Sequence, residues 1–168
     1  MKLFIHFSEI IGMDVLDHQG QWVGYLQDIA MNPQGDIYPK ATHLIIKRGS
    51  INKEYALVAW DNVAYIETDV RLKLSDNQIT FQKEVIRCEF SLKRDILDQQ
   101  IVDTDNHKVE RVNDIHLLRV ENQIYAAHVD VGLRALVRRL EWTFVVDNIV
   151  KVLKPRSRYL TQEELVPW

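Results

Sequence analysis

Residues 11–29, IGMDVLDHQGQWVGYLQDI, and residues 97–115, LDQQIVDTDNHKVERVNDI, decide how this chain is read. They align without a gap at a shift of 97 − 11 = 86 residues. Few positions are identical: Asp17 with Asp103, Val23 with Val109, Asp28 with Asp114 and Ile29 with Ile115. The apolar pattern is nevertheless kept, pairing Ile11 with Leu97, Val15 with Ile101, Leu16 with Val102 and Leu26 with Val112. His18-Gln19-Gly20 is matched by Thr104-Asp105-Asn106, and Gly and Asn are the residues that best accept positive φ in a hairpin turn. Pattern and turn together point to an internal duplication. Each copy opens with a short strand, a tight turn and a longer strand. Gly24, inside the longer strand of the first copy, predicts a bulge or a close backbone approach.

Outward from these hairpins, Thr42–Ile46 reads as a third strand and is echoed by Ala127–Val131. Here the shift is 128 − 43 = 85, so the second copy has lost one loop residue. Glu54–Val58, Val70–Leu74 and Ile79–Phe81 read as further strands, with Asp76-Asn77 as a hairpin turn between the last two. Short strands at close spacing predict a mainly β chain of two small barrels in tandem, residues 1–86 and 87–168. The second copy departs after Asp130, a candidate N-cap. Leu133, Leu136, Val137 and Leu140 recur at helical spacing, with Arg134, Arg138 and Arg139 on or near the wet side. Thr143–Leu153 reads as a second helix that Pro155 ends, giving a helical insertion over about 132–153. At the end of the sequence, Glu164-Leu165-Val166-Pro167-Trp168 repeats Ala56-Leu57-Val58-Ala59-Trp60. On that match the second barrel stops mid-motif and the chain is expected to be a fragment of a longer protein, which the intact mass of the native product checks.

Composition narrows the function classes. The 168 residues carry 21 Lys and Arg against 24 Asp and Glu, a formal charge of −3. That balance supplies no field for a phosphate backbone, so direct nucleic-acid binding is not expected. Cys88 is the single cysteine, which excludes an internal disulfide and a cysteine-rich zinc site. No apolar run approaches the roughly 20 residues of a membrane span, and the opening Met-Lys-Leu-Phe-Ile-His is too soon polar for a signal peptide. A cytoplasmic protein is expected, with any membrane association indirect.

The opening Ser8-Glu9-Ile10-Ile11-Gly12-Met13-Asp14-Val15, with Asp17, Gly20 and Val23–Ile29, resembles the start of a PRC-barrel domain. That family is named for the cytoplasmic domain of the photosynthetic reaction-centre H subunit and includes a domain of a ribosome-maturation factor. Arg94–Asp98 and Val109–Asp114 are similar. Val129–Leu140 looks like the tandem PRC-barrel region that precedes MgtE-type intracellular and CBS domains in magnesium-transporter-related proteins. The resemblance spans nearly the whole chain, through short aliphatic motifs. It implies a non-enzymatic docking or regulatory adaptor, the N-terminal cytoplasmic part of a magnesium-transport-related protein. The alternative it carries is a ribosome-maturation-type barrel that binds a ribosomal protein or RNA. The second copy has Asp98 where the first has Gly12, and Glu110 where the first has Gly24. Either it lacks a bulge or another device replaces it.

Chemistry-bearing patterns are few. His6, His18, His43, His107, His116 and His128 are scattered rather than set at metal-ligand spacing, and His43 and His128 are explained by duplication. Asp103-Thr104-Asp105-Asn106 begins like a calcium loop, but Lys108 stands at the position where such loops need Gly. Asp28 and Asp114 read as repeated carboxylates that accept hydrogen bonds from a turn or backbone amide. Cys88, with only Arg87 nearby in sequence, reads as an unreactive thiol. No catalytic residue, metal or cofactor is expected. The candidate partner-binding residues are Trp22, Trp142, Arg134, Arg138 and Arg139, because exposed aromatics and arginines anchor interfaces; Trp60 reads as core. The partner is expected to be a protein, another domain of the same longer chain, or a second copy in a homodimer.

Overall fold

The computed structural model describes residues 3–34, 38–86, 88–103, 108–131 and 165–167. In chain order these form β1 (Phe4–His6), α1 (Phe7–Ile10), β2 (Asp14–Leu16), β3 (Trp22–Asn32), β4 (Lys40–Arg48), β5 (Glu54–Ala59), β6 (Val63–Ile66) and β7 (Val70–Leu72). After residue 86 come α2 (Leu92–Asp95), β8 (Gln100–Asp103), β9 (Lys108–Arg111), β10 (Asp114–Val120), β11 (Gln123–Asp130) and β12 (Leu165–Pro167). The chain is mainly β, and its main sheet curls like half a barrel. Ten strands share this sheet in the order β1-β10-β11-β4-β3-β2-β7-β6, with β5 on β4 and β12 on β11, while β8 and β9 pair separately. Strands from either side of residue 86 therefore lie in one sheet. They enclose one apolar cluster that includes Phe7, Leu26, Leu44, Leu92, Ile115 and Leu117.

Backbone hydrogen bonds repeat between the two halves. Gly12 donates to the Leu26 carbonyl at 2.8 Å and Leu26 to Met13 at 2.9 Å. At the positions 86 residues on, Asp98 donates to Val112 and Val112 to Gln99, both at 2.9 Å. Phe7 in α1 and Leu92 in α2 are both fully buried. The third strands correspond too. β5 meets β4 as Leu57↔Ile45, Val58↔Leu44 and Ala59↔His43, and β12 meets β11 as Leu165↔Asp130, Val166↔Val129 and Pro167↔His128. The sequence echo at the chain's end thus has the same strand register as its counterpart.

Both departures of the second copy have a structural answer. Gly12 takes φ +83°, and Asp98 takes φ +68° in its place; Asp visits this left-handed region more readily than most residues. In the first hairpin the register slips after Val15↔Gly24 to Leu16↔Trp22, leaving Val23 as the extra residue. The second runs Ile101↔Glu110 and Val102↔Val109 without a slip. The bulge turns Val23 inward, to 1% exposure; without it Val109 is 64% exposed. Gly24 is also a close approach, since a Cβ there would lie 2.7 Å from the Lys47 carbonyl oxygen.

Two strand expectations need correction. Val70–Leu74 is a strand only over Val70–Leu72, and Ile79–Phe81 is not a strand. Asp76–Gln78 instead forms a 3-10 turn, closed where Gln78 Oε1 accepts from the Ser75 amide at 2.9 Å. That local bond competes with a ladder and wins. The helical insertion over 132–153, with Arg134, Arg138, Arg139 and Trp142, lies outside the described residues, as does the candidate calcium turn at 104–107.

Candidate functional site

Strand pairing brings together residues that sequence distance hides. His6 on β1 stands opposite His116 on β10, which stands opposite His128 on β11. Three histidines thus form a row across three strands, where the sequence shows them scattered. The His6 and His116 rings meet edge to face at 4.2 Å. Two fully buried carboxylates flank the row: Asp114 Oδ2 lies 3.9 Å from His6 Nδ1, and Asp130 Oδ2 lies 3.8 Å from His116 Nε2. Asp114 also accepts from the Ser8 hydroxyl at 2.6 Å, the Ser8 amide at 3.1 Å and the Ile115 amide at 2.8 Å. His116 Nε2 is buried and has no hydrogen-bond partner among the described residues, the 3.8 Å approach being too long for one. Among the described residues, no group of three or more His, Cys, Asp or Glu is placed to hold a metal ion.

The first copy provides an internal control for this row. The counterparts of His6, His116 and His128 are Ser91 of the second copy with Ala30 and His43 of the first, paired across their strands in the same way. Ile45 stands where the second copy has Asp130. The backbone frame therefore forms with one imidazole in place of three and without the second carboxylate. No periodicity could have revealed the row, because His6 and His116 are joined by pairing over 110 residues of sequence.

Asp28 and Asp114 do bind backbone amides, but each takes an amide of the other copy. Asp28 Oδ1 accepts from Lys93 at 2.7 Å and from Ile29 at 2.8 Å. Burial pushes the Asp28 carboxyl above its ordinary value, against the lowering effect of those amides and the Ser91 hydroxyl. Asp17 closes the first hairpin by accepting from the Gln19 and Gln21 amides at 2.8 and 2.9 Å. Its desolvation raises the carboxyl, and the amides of Gln21, Gln19 and Asp76 outweigh that and hold it below the usual range. Burial pushes the Cys88 thiol up, with Arg94 pulling it down. The relevant cation is thus Arg94, whose guanidinium donates to the Cys88 carbonyl at 2.8 Å. Beside it, that guanidinium holds the Asp95 carboxyl low.

Trp22, the one candidate partner residue within the described part, lies on the outer face of β3. It is 48% exposed, packs edge to face on the equally exposed Tyr25 at 5.3 Å, and donates from Nε1 to Asp14 Oδ1 at 2.9 Å. Val23 and Leu26 of the same strand face the core. The aromatic pair is therefore held by a hydrogen bond on a rigid strand. Trp60 is buried, and its Nε1 donates to the Asn122 carbonyl at 2.7 Å. No described helix is long and apolar enough to cross a membrane. No family model matches the chain, and no curated protein matches it.

Proposed function

We propose that this chain is a non-enzymatic interaction module built of two PRC-type barrels in tandem, residues 1–86 and 87–168. It holds a protein partner, or another domain of the same longer chain, on the outer face of β2 and β3. The observation that carries this reading is the exposed Trp22–Tyr25 pair, pinned by Asp14 to a strand whose other face is core. Preordered aromatics give large contact area at small entropic cost on binding. The helical insertion over 132–153 offers Arg134, Arg138, Arg139 and Trp142 as a second contact. A cytoplasmic, magnesium-transport-related setting completes the proposal, and no cofactor is part of it.

A photo-crosslinking residue at position 22, compared with one at the 92% exposed Ile51, tests it in native cells. The expected result is a discrete protein adduct from position 22 that is absent from position 51. A transport-related membrane protein in that adduct supports the setting. Ribosomal protein or RNA would replace it with the ribosome-maturation reading. Equal, diffuse labelling from both positions would sink the interaction surface itself.

A further inference from the structure

The contacts between the two copies come in reciprocal pairs. β1 lies against β10, with His6 opposite His116; Ser91, the counterpart of His6, lies opposite Ala30, the counterpart of His116. The Ser8 amide reaches Asp114, and the Lys93 amide, its counterpart, reaches Asp28. Helix α1 packs on β10 and α2 on β3. Between these pairs Lys40 stands opposite Tyr125, and 125 − 40 = 85, so this contact joins a position to its own counterpart. A set of contacts that maps onto itself when the copies are interchanged defines a local two-fold axis, here passing between Lys40 and Tyr125. That is the property of an isologous dimer interface.

We infer that the two copies are a covalently fused pseudo-dimer, and that the surface joining them fits a second copy of this fold, from the same chain or from another. The leading segment of each copy is the exchanged element. It begins on the other copy's long strand and ends on its own hairpin, through Gly12 to Leu26 and Asp98 to Val112. The covalent connection runs through Lys83, Glu84 and Val85, which are exposed. It carries none of the reciprocal contacts. Association of the halves therefore rests on the interface and survives loss of the connection, and halves of different chains can replace one another.

The test is made on the full chain carrying a protease site in place of Lys83–Val85, cleaved after folding. At about 1 µM the two fragments should stay together at the mass of the whole chain, a dissociation constant below that concentration. Tagged and untagged cleaved chains, mixed, should trade halves, so the tag recovers untagged complementary fragment. Asp28→Ala in the cleaved chain removes one reciprocal acceptor and should weaken association roughly tenfold, the scale of losing a helix N-terminal acceptor. Asp28→Asn keeps the acceptor oxygen and should restore it; Asp61→Ala, at an exposed position, should change nothing. Circular dichroism of the intact variants separates lost association from lost folding. Should Asp28→Ala not fold, the exchange and the Asp28→Asn chain decide. Fragments that part at this concentration, an absence of exchange, or a folded Asp28→Ala chain indistinguishable from Asp61→Ala would each overturn the inference.

Discussion

Gly24→Ala isolates the feature that most separates the two hairpins. The added Cβ would lie 2.7 Å from the Lys47 carbonyl oxygen and 2.9 Å from Ile46 Cγ2. The carbonyl cannot yield cheaply, because Lys47 is paired to Tyr25 on one side and to Tyr55 on the other. Overpacking of a tight site costs about 1–3 kcal/mol, and a backbone obstacle places this case near the upper end. Against it, Gly→Ala reduces the entropy of the unfolded chain, a gain of about 0.4–1 kcal/mol. The net expectation is a loss of about 2 kcal/mol, or roughly 4–8 °C in Tm for a chain of this size. Urea unfolding followed by tryptophan fluorescence, with calorimetry alongside, measures it. Glu110→Ala is the control: Glu110 is the counterpart of Gly24, sits on the unbulged hairpin, and should shift stability by less than about 0.5 kcal/mol. A Gly24→Ala protein as stable as wild type, or a Glu110→Ala protein equally damaged, would refute the reasoning.

Other expectations follow from the same geometry. Trp60→Phe removes the Nε1 donor from the Asn122 carbonyl across the two copies, and should cost about 0.5–1.5 kcal/mol in urea unfolding, the net worth of one hydrogen bond whose exposed acceptor can be rehydrated. Asp28, whose carboxyl burial raises, favours the protonated form in the fold; that contribution is complete below the ordinary value of 3.8 and is lost as pH rises through the raised one. The stability of wild type relative to Asp28→Asn should therefore increase as pH falls from neutral toward 3.8, and a flat difference would contradict it. Asp17 behaves oppositely: its lowered carboxyl stabilises above 3.8 and loses that effect as pH falls, so Asp17→Asn should be least stable relative to wild type at neutral pH. Trp22→Ala should change unfolding by less than about 0.5 kcal/mol while lowering at least tenfold the partner protein recovered with the chain, and undiminished recovery would contradict it.

Local features of the fold were readable because they are written in neighbouring residues. The 86-residue shift and the apolar alternation marked both hairpins, and of the short echo over 164–168 the described residues Leu165–Pro167 fall in register on β11. Gly24 signalled a bulge and a close approach, and both exist. What could not be read is which segment meets which. The exchange of leading segments joins Phe4 to Leu118 and Ala30 to Ser91, and no local pattern encodes such pairing. For the same reason the amide partners of Asp28 and Asp114 were foreseen in kind but not as groups of the opposite copy. The histidine row was invisible because its members lie on three strands drawn from both ends of the described chain. The Ile79–Phe81 strand failed on turn chemistry, where Ser75 and Gln78 close a 3-10 turn before any ladder forms.

Inter-strand proton contacts in solution address the two-fold relation without any mutation. Nuclear Overhauser effects should join His6 to His116, Ser91 to Ala30, and Lys40 to Tyr125 in one folded species. Finding the first contact while Ser91 is remote from Ala30 would mean that the halves do not embrace each other reciprocally, and the symmetric account would be wrong.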